Sequence, residues 1–488
     1  MEVTLLLYFA FVILPICIIS TWFIRRSASY KVFPPGPTPL PFLGNIFDLT
    51  SKELWLRAHK WAKIYGEISY LHILGQDVLF LNNAEVSFEL LEKRGANYSE
   101  KPRLVMVGEM CGCENMVPFT TYNDAFKRRR RLMQLTLGPR SIPNYYPALE
   151  TETTTFIRSL VSDPTNYIRH IRRYSGGLTL SVVYGYKVAS IDDPYLLLAE
   201  ESVGLLANEM VQGTDIWPVD VFPILQYVPK WFPGASFKRK AVLWKAKMDE
   251  FIEKPWIHAK TSMKMGTILP SFCSAHLDKE EELTTKQEDD LKYTANSMYG
   301  ASADTTITTI SHLILAMIYY PEAFLKARQE VEQIVGKDRL PTFSDRDSLP
   351  YDLPHSVGTD DIYQGMNIRK GSLVIANIWA MLRDESTYPD ASTFRPERFM
   401  EGSPETRGDI DPRNFIFGFG RRRCPGADLV DSSIWLLLAT MIATVDISKA
   451  QNSDGSIIEP EIDFNNMVFR TPAPFQFSAT MRSNLADQ

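Results

Sequence analysis

Cysteine is scarce in this 488-residue chain: Cys17, Cys111, Cys113, Cys273 and Cys424 are the whole complement, and their spacing is irregular. So few thiols in so long a chain do not form the framework of a secreted, disulfide-stapled domain, and a reducing compartment is expected. A basic excess is lacking too. Lys and Arg total 52 against 58 Asp and Glu, a formal net charge of −6. An acidic balance argues against nucleic acid as a partner, because phosphate neutralisation needs surplus positive charge. No internal repeat or low-complexity tract follows residue 45. With 45% hydrophobic and 23% charged residues the composition is that of a globular body, not of a disordered or fibrous chain.

What the amino terminus lacks is charge. Residues 3–24 contain no charged side chain of either sign, and as a helix they would span about 33 Å, enough for the hydrocarbon core of a bilayer. Glu2 precedes this run, and Arg25, Arg26 and Lys31 follow it. A cleaved signal peptide has the opposite charge order. Residues 1–26 are therefore expected to be a retained transmembrane anchor, with the body cytosolic by the positive-inside rule. Residues 27–45 end in KVFPPGPTPLPFLGN, whose five prolines and two glycines forbid helix and regular sheet and predict a stiff extended hinge. The remainder, 46–488, reads as one large body.

Within that body, β-rich runs at 68–74 and 77–81 give way to helical patterns. The longest runs from about Asp289 to Tyr320 and is interrupted by the small-residue patch YGASADTT at 299–306. A helix from Pro321 to about Val335 follows, and β-like alternation returns at 372–376. The fold class is mainly α with minor β. Residues 214–234 carry four prolines beside Trp217, Phe222, Trp231 and Phe232; these rings either dip into a headgroup layer or pack a loop onto the core, and composition leaves both open.

The chemistry concentrates in FGFGRRRCPG at 417–426. Three arginines and a glycine-rich turn give Cys424 what a thiolate ligand needs: nearby positive charge and a tight loop of backbone N–H groups. Spelled out as Phe417-x-x-Gly420-x-Arg422-x-Cys424-x-Gly426, the segment resembles the haem-binding loop of the cytochrome P-450 family. The resemblance extends in order along essentially the whole chain and is nearest in character to fungal microsomal members. It implies the cytochrome P-450 fold, haem b with Cys424 as axial thiolate, and Arg422 against a haem propionate. FRPERF at 394–399 resembles the meander motif and places its arginine at Arg398. LPHSV at 353–357 resembles the strand whose histidine reaches a propionate, which nominates His355. FKRRRRLM at 126–133 stands in place of the Trp-x-x-x-Arg helix, with Phe126 for tryptophan and Arg130 as the matching arginine. Phenylalanine has no indole N–H, so one propionate hydrogen bond is lost. Ala301-Ser302-Ala303-Asp304-Thr305 resembles the oxygen-activating motif, in which small side chains admit dioxygen and an acid beside a hydroxyl relays protons; here Ser302 replaces glycine.

One family element is missing. Between the helix ending near Val335 and LPHSV the family carries another helix with Glu-x-x-Arg at its centre, whereas this chain runs SLPYDLPHSV. The sole Glu with Arg three residues on is Glu100 with Arg103, in the wrong region. A helix of about 10–14 residues is absent. The resemblance implies a monooxygenase of the endoplasmic reticulum membrane, single-pass with its catalytic domain cytosolic, acting on a small organic, lipophilic or secondary-metabolite substrate with dioxygen and electrons from an NADPH-dependent reductase. Two alternatives stand beside it: a haem-thiolate isomerase or dehydratase needing no reductase, and a membrane protein inactivated by loss of the Glu-x-x-Arg helix.

Overall fold

The computed structural model describes residues 32–41, 43–49, 53–211, 217–277, 283–336, 339–343, 355–356, 359–399, 411–464 and 470–482. The expected anchor at 1–26, and the junction 344–354 where the Glu-x-x-Arg helix is missing, lie outside these residues. The chain is mainly helical with minor sheet and forms two compact units.

The smaller unit comprises residues up to 102, 354–384 and 419–421. Its sheet has the order β1 (Ile68–Ile73), β2 (Gln76–Leu81), β6 (Leu373–Ala376), β3 (His355–Ser356). β2 and β6 pair in parallel and the outer pairs are antiparallel. Helix α1 (Leu54–Tyr65) buries Ala58 and Trp61 against Leu71, Ile73, Val78 and Phe80, apolar positions that the strands present on one face. The β1–β2 hairpin turns through Leu74 and Gly75, both at positive φ, and the small hairpin of β4 (Asp361–Tyr363) and β5 (Met366–Ile368) turns through Gln364 and Gly365 in the same way. Two successive left-handed residues match the twist of the flanking strands. The carboxyl end of the predicted hinge lies along this sheet: Tyr70 donates its N–H to the Pro35 carbonyl (2.9 Å), and a Cβ at Gly36 would fall 1.8 Å from the Tyr70 carbonyl oxygen.

The larger unit is helical. Its central element, α8 (Thr285–Tyr319), opens with a capping box between Thr284 and Gln287 and ends before Pro321, the first residue of α9 (Pro321–Val335). Around α8 pack α3 (Asp124–Leu137), α5 (Tyr167–Tyr184), α6 (Pro194–Leu205) and α7 (Ser236–Met265), while α4 (Tyr146–Ser162) lies on α5. α10 (Ala427–Thr444) runs directly into β7 (Val445–Lys449), which pairs with β8 (Phe477–Met481). Small residues permit close approach: a Cβ at Gly176 on α5 would strike Leu196 of α6 at 2.3 Å. Helices α8 and α10 are long and apolar enough to cross a membrane, but both are core helices with about half of their apolar stretch buried in protein. The predicted interruption at 299–306 does not occur; α8 is continuous, and the patch marks a change in burial.

Candidate active site

The loop 417–426 is closed by the Cys424 N–H donating to the Phe417 carbonyl (2.8 Å). Phe417 and Phe419 are buried and anchor it, while Gly418 and Gly420 take left-handed conformations at φ 78° and 59° that a side chain would resist. Gly426 ends the loop and begins α10, and a Cβ there would lie 4.0 Å from Cys424 Sγ. Negative charge is stabilised at that end of a helix. Cys424 is partly exposed, in contrast to Cys111, Cys113 and Cys273. Burial pushes the Cys111 thiol up to about 12 and raises Cys113 and Cys273 as well, which makes all three inert. Among the described cysteines, Cys424 is the one placed to meet a ligand.

Two predicted arginines border this loop. Arg130, on α3, donates to the Arg423 carbonyl. Arg422 donates to the carbonyls of Val117 (3.4 Å) and Thr120 (2.8 Å), and its guanidinium stacks 3.9 Å above the Phe126 ring. Phe126 thus lacks tryptophan's N–H but offers its face to a cation. Three other members of the basic run are held in ion pairs. Lys127 pairs with Asp124 at 3.0 Å, and Arg128 and Arg129 converge on Asp290 at 2.5 and 3.0 Å.

In α8 the stretches 294–299 and 306–307 are buried, but between them Ala301 and Thr305, one turn apart on one face, are exposed. The Thr305 hydroxyl donates to the Ala301 carbonyl (2.8 Å). Ser302 is absorbed without a break: its hydroxyl bonds the Tyr299 carbonyl (3.0 Å) and its carbonyl accepts from Ser175 (2.7 Å). Asp304 lines a water-sized cavity of about 20 Å³ together with Arg172 of α5 and Glu200 of α6. Burial raises its carboxyl above the usual range; the Arg172 charge opposes the shift and Glu200 adds to it. Arg172 and Glu200 pair at 2.8 Å, leaving the buried Arg172 Nε without a hydrogen-bond partner.

The remaining predicted residues fall elsewhere. His355 is in a strand as expected, paired with Val374 of β6. Gly420 belongs to the smaller unit, where its N–H meets Glu92. Arg103 of the Glu100-x-x-Arg103 sequence binds Glu109 at 2.6 Å. Arg172, Glu200, Asp290 and Glu92 were missed by sequence reasoning. Arg172 and Glu200 meet Asp304 from more than a hundred residues away, Asp290 meets Arg129 and Glu92 meets Gly420 from farther still, so no local spacing signals them.

A haem needs a soft axial donor, cations for its carboxylate arms and a small-residue face that leaves room beside the iron. The exposed thiol of Cys424, the guanidinium groups of Arg422 and Arg130 and the uncovered Ala301–Thr305 face are of that chemistry, and the residues present fit the group. Fold and site together define a haem-thiolate protein. The chain belongs to the cytochrome P-450 family, whose model, described as Cytochrome P-450, matches residues 34–479; that family uses haem with thiolate-ligated iron. The chain is 37% identical over 494 residues to cytochrome P-450 monooxygenase claT of Ampulloclitocybe clavipes, covering 97% of this chain and 96% of that protein. It is 36% identical to cytochrome P-450 monooxygenase 208 of Postia placenta, with 95% and 93% covered. Tryptamine 4-monooxygenase of Psilocybe cyanescens is 35% identical, with 93% of each chain covered.

Proposed function

We propose that this chain is built as a membrane-anchored monooxygenase of secondary metabolism that places one oxygen atom of dioxygen into a small lipophilic substrate, with electrons from an NADPH-dependent reductase. The observation that carries the reading is Cys424, partly exposed in a closed loop between buried phenylalanines and the start of α10. In this reading Cys424 holds the iron of haem b, Arg422 and Arg130 hold its carboxylates, His355 is assigned a propionate by resemblance alone, and the bound haem supplies the oxygen-activating redox chemistry. Asp304, whose carboxyl burial shifts toward the protonated form, exchanges a proton through the water-sized cavity beside Arg172 and Glu200, and the Thr305 hydroxyl passes it to the exposed face of α8. The acid–hydroxyl pair favours a monooxygenase over an isomerase or dehydratase, and a requirement for NADPH separates them.

Membrane attachment is supported by the charge-free run 3–24 and by the proline-rich segment. There Trp217 packs on Trp244, but Phe222, Ile224, Tyr227, Trp231 and Phe232 are exposed, Trp231 by 79%. A domain division of anchor 1–26, hinge 27–45 and catalytic body 46–488 belongs to the same reading, as does a place in the endoplasmic reticulum membrane. A second reading, in which the missing helix impairs the enzyme, is favoured by the surroundings of Arg398 described below. The test of the first is spectroscopic: Cys424→Ser in the haem-loaded full chain should abolish the thiolate-type carbonyl spectrum of the reduced protein, while Cys273→Ala keeps it. An unaltered spectrum in Cys424→Ser would refute the assignment.

A further inference from the structure

The turn of the cysteine loop is held by a stretch of chain more than three hundred residues away in sequence. We propose that Glu92 and Phe88 are positioning residues for the loop that carries the iron ligand, an inference that rests on the reading of Cys424 above. After β2 the chain forms a short helix, α2 (Ala84–Ser87), that widens into a π-helical turn, Phe88–Lys93. Such turns are rare and reposition the side chains and carbonyls that follow them. The Gly420 N–H donates to the Glu92 carboxylate. A Cβ at Gly420 would sit 2.3 Å from the Leu91 carbonyl oxygen, so the loop approaches the π-turn at a distance only glycine permits. Phe419, fully buried, meets Phe88 edge to face at a centroid distance of 5.2 Å and 88°. Residues 419–421 accordingly group with the smaller unit, although their neighbours on both sides in sequence group with the larger one.

The loop needs such an anchor. With left-handed glycines at 418 and 420, the loop is closed by the Cys424 N–H to Phe417 carbonyl contact, and three residues separate Gly420 from Cys424. A carboxylate that accepts the Gly420 N–H and a ring that seats Phe419 fix the turn without touching the sulfur.

The experiment reads amide hydrogen exchange in the full chain without haem, resolved to the peptide 417–426. Glu92→Ala should speed exchange at Gly420 about fivefold, the factor expected for loss of one net hydrogen bond, and Glu92→Gln, whose amide oxygen still accepts, should largely restore protection. Haem-loaded Glu92→Ala and Phe88→Ala should lose part of the thiolate-type carbonyl spectrum in favour of the non-thiolate form. Unchanged exchange and spectrum in both variants, or a lowered melting temperature with both intact, would overturn the proposal. An unaltered thiolate spectrum in Cys424→Ser would instead overturn the ligand assignment and leave the exchange result standing.

Discussion

Arg129 and Arg398 are both almost fully buried in the helical unit, yet their surroundings differ in kind. Arg129 lies between α3 and α8, where the Asp290 carboxylate takes its Nε at 3.0 Å and the Asn115 carbonyl its Nη1 at 2.6 Å. Arg398 sits in the meander, where its partners among the described residues are the carbonyls of Pro389 (2.6 Å), Asp390 (3.0 Å) and Thr393 (2.9 Å). Asp390 adopts a left-handed φ of 54° in presenting its carbonyl, a conformation a non-glycine residue takes at a cost. Hydrogen-bond satisfaction and charge compensation are thus separable: Arg129 has both, and among the described residues Arg398 has the first without the second. α9, tied to the meander by Lys326 and Glu397 at 2.7 Å, buries only Val335, whereas α8 buries residues on nearly every turn. We propose that the difference reflects the Glu-x-x-Arg helix the sequence lacks, whose acid by resemblance would meet the meander arginine.

The largest effect should come from supplying the missing element. A family-type helix with Glu-x-x-Arg inserted between Tyr351 and Asp352 should give Arg398 a carboxylate and raise both haem retention and melting temperature; an insertion that changes neither would remove the helix from the account. The next effect separates the two arginines. Asp290→Asn strips the countercharge from Arg128 and Arg129 and should cost about 3–5 kcal/mol in denaturant unfolding. Arg398→Met frees three carbonyls but removes a charge that meets no carboxylate among the described residues, and should cost about 0–2 kcal/mol. Equal losses would mean that Arg398 is compensated as well as Arg129.

The smallest effect is electrostatic. Burial raises the Asp304 carboxyl relative to the unfolded chain, so its favourable contribution is complete below the unfolded value near 3.8 and is lost as pH rises through the folded value. Asp304→Asn should therefore gain stability relative to the parent as pH rises from about 4. A pH-independent difference between the two proteins would show that Asp304 is not the buried acid described.

Much of this was legible in the sequence because the signals were local. The runs at 68–74 and 77–81 became β1 and β2, and Pro321 began α9, because alternation and proline act over a few residues. The cysteine loop could be read from ten consecutive positions. What could not be read was set by packing between distant segments. The small-residue patch suggested a break in α8, but Ser302 finds partners in Tyr299 and Ser175 and the helix continues. The five-base run gave no sign that two of its members face Asp290. Nor did Glu92, one acid among many on a solvent-exposed turn, announce its contact with Gly420.

Haem content decides the central claim, that this chain carries the haem-thiolate site but lacks one of its braces. The full chain is expressed with haem precursor supplied, and the haem-to-protein ratio and the reduced carbonyl spectrum are measured beside the helix-restored form. The account predicts a ratio well below one for the chain as it stands and a rise toward one, with a thiolate-type spectrum, once the helix is present. One haem per unaltered chain, with a full thiolate spectrum and normal turnover, would contradict it.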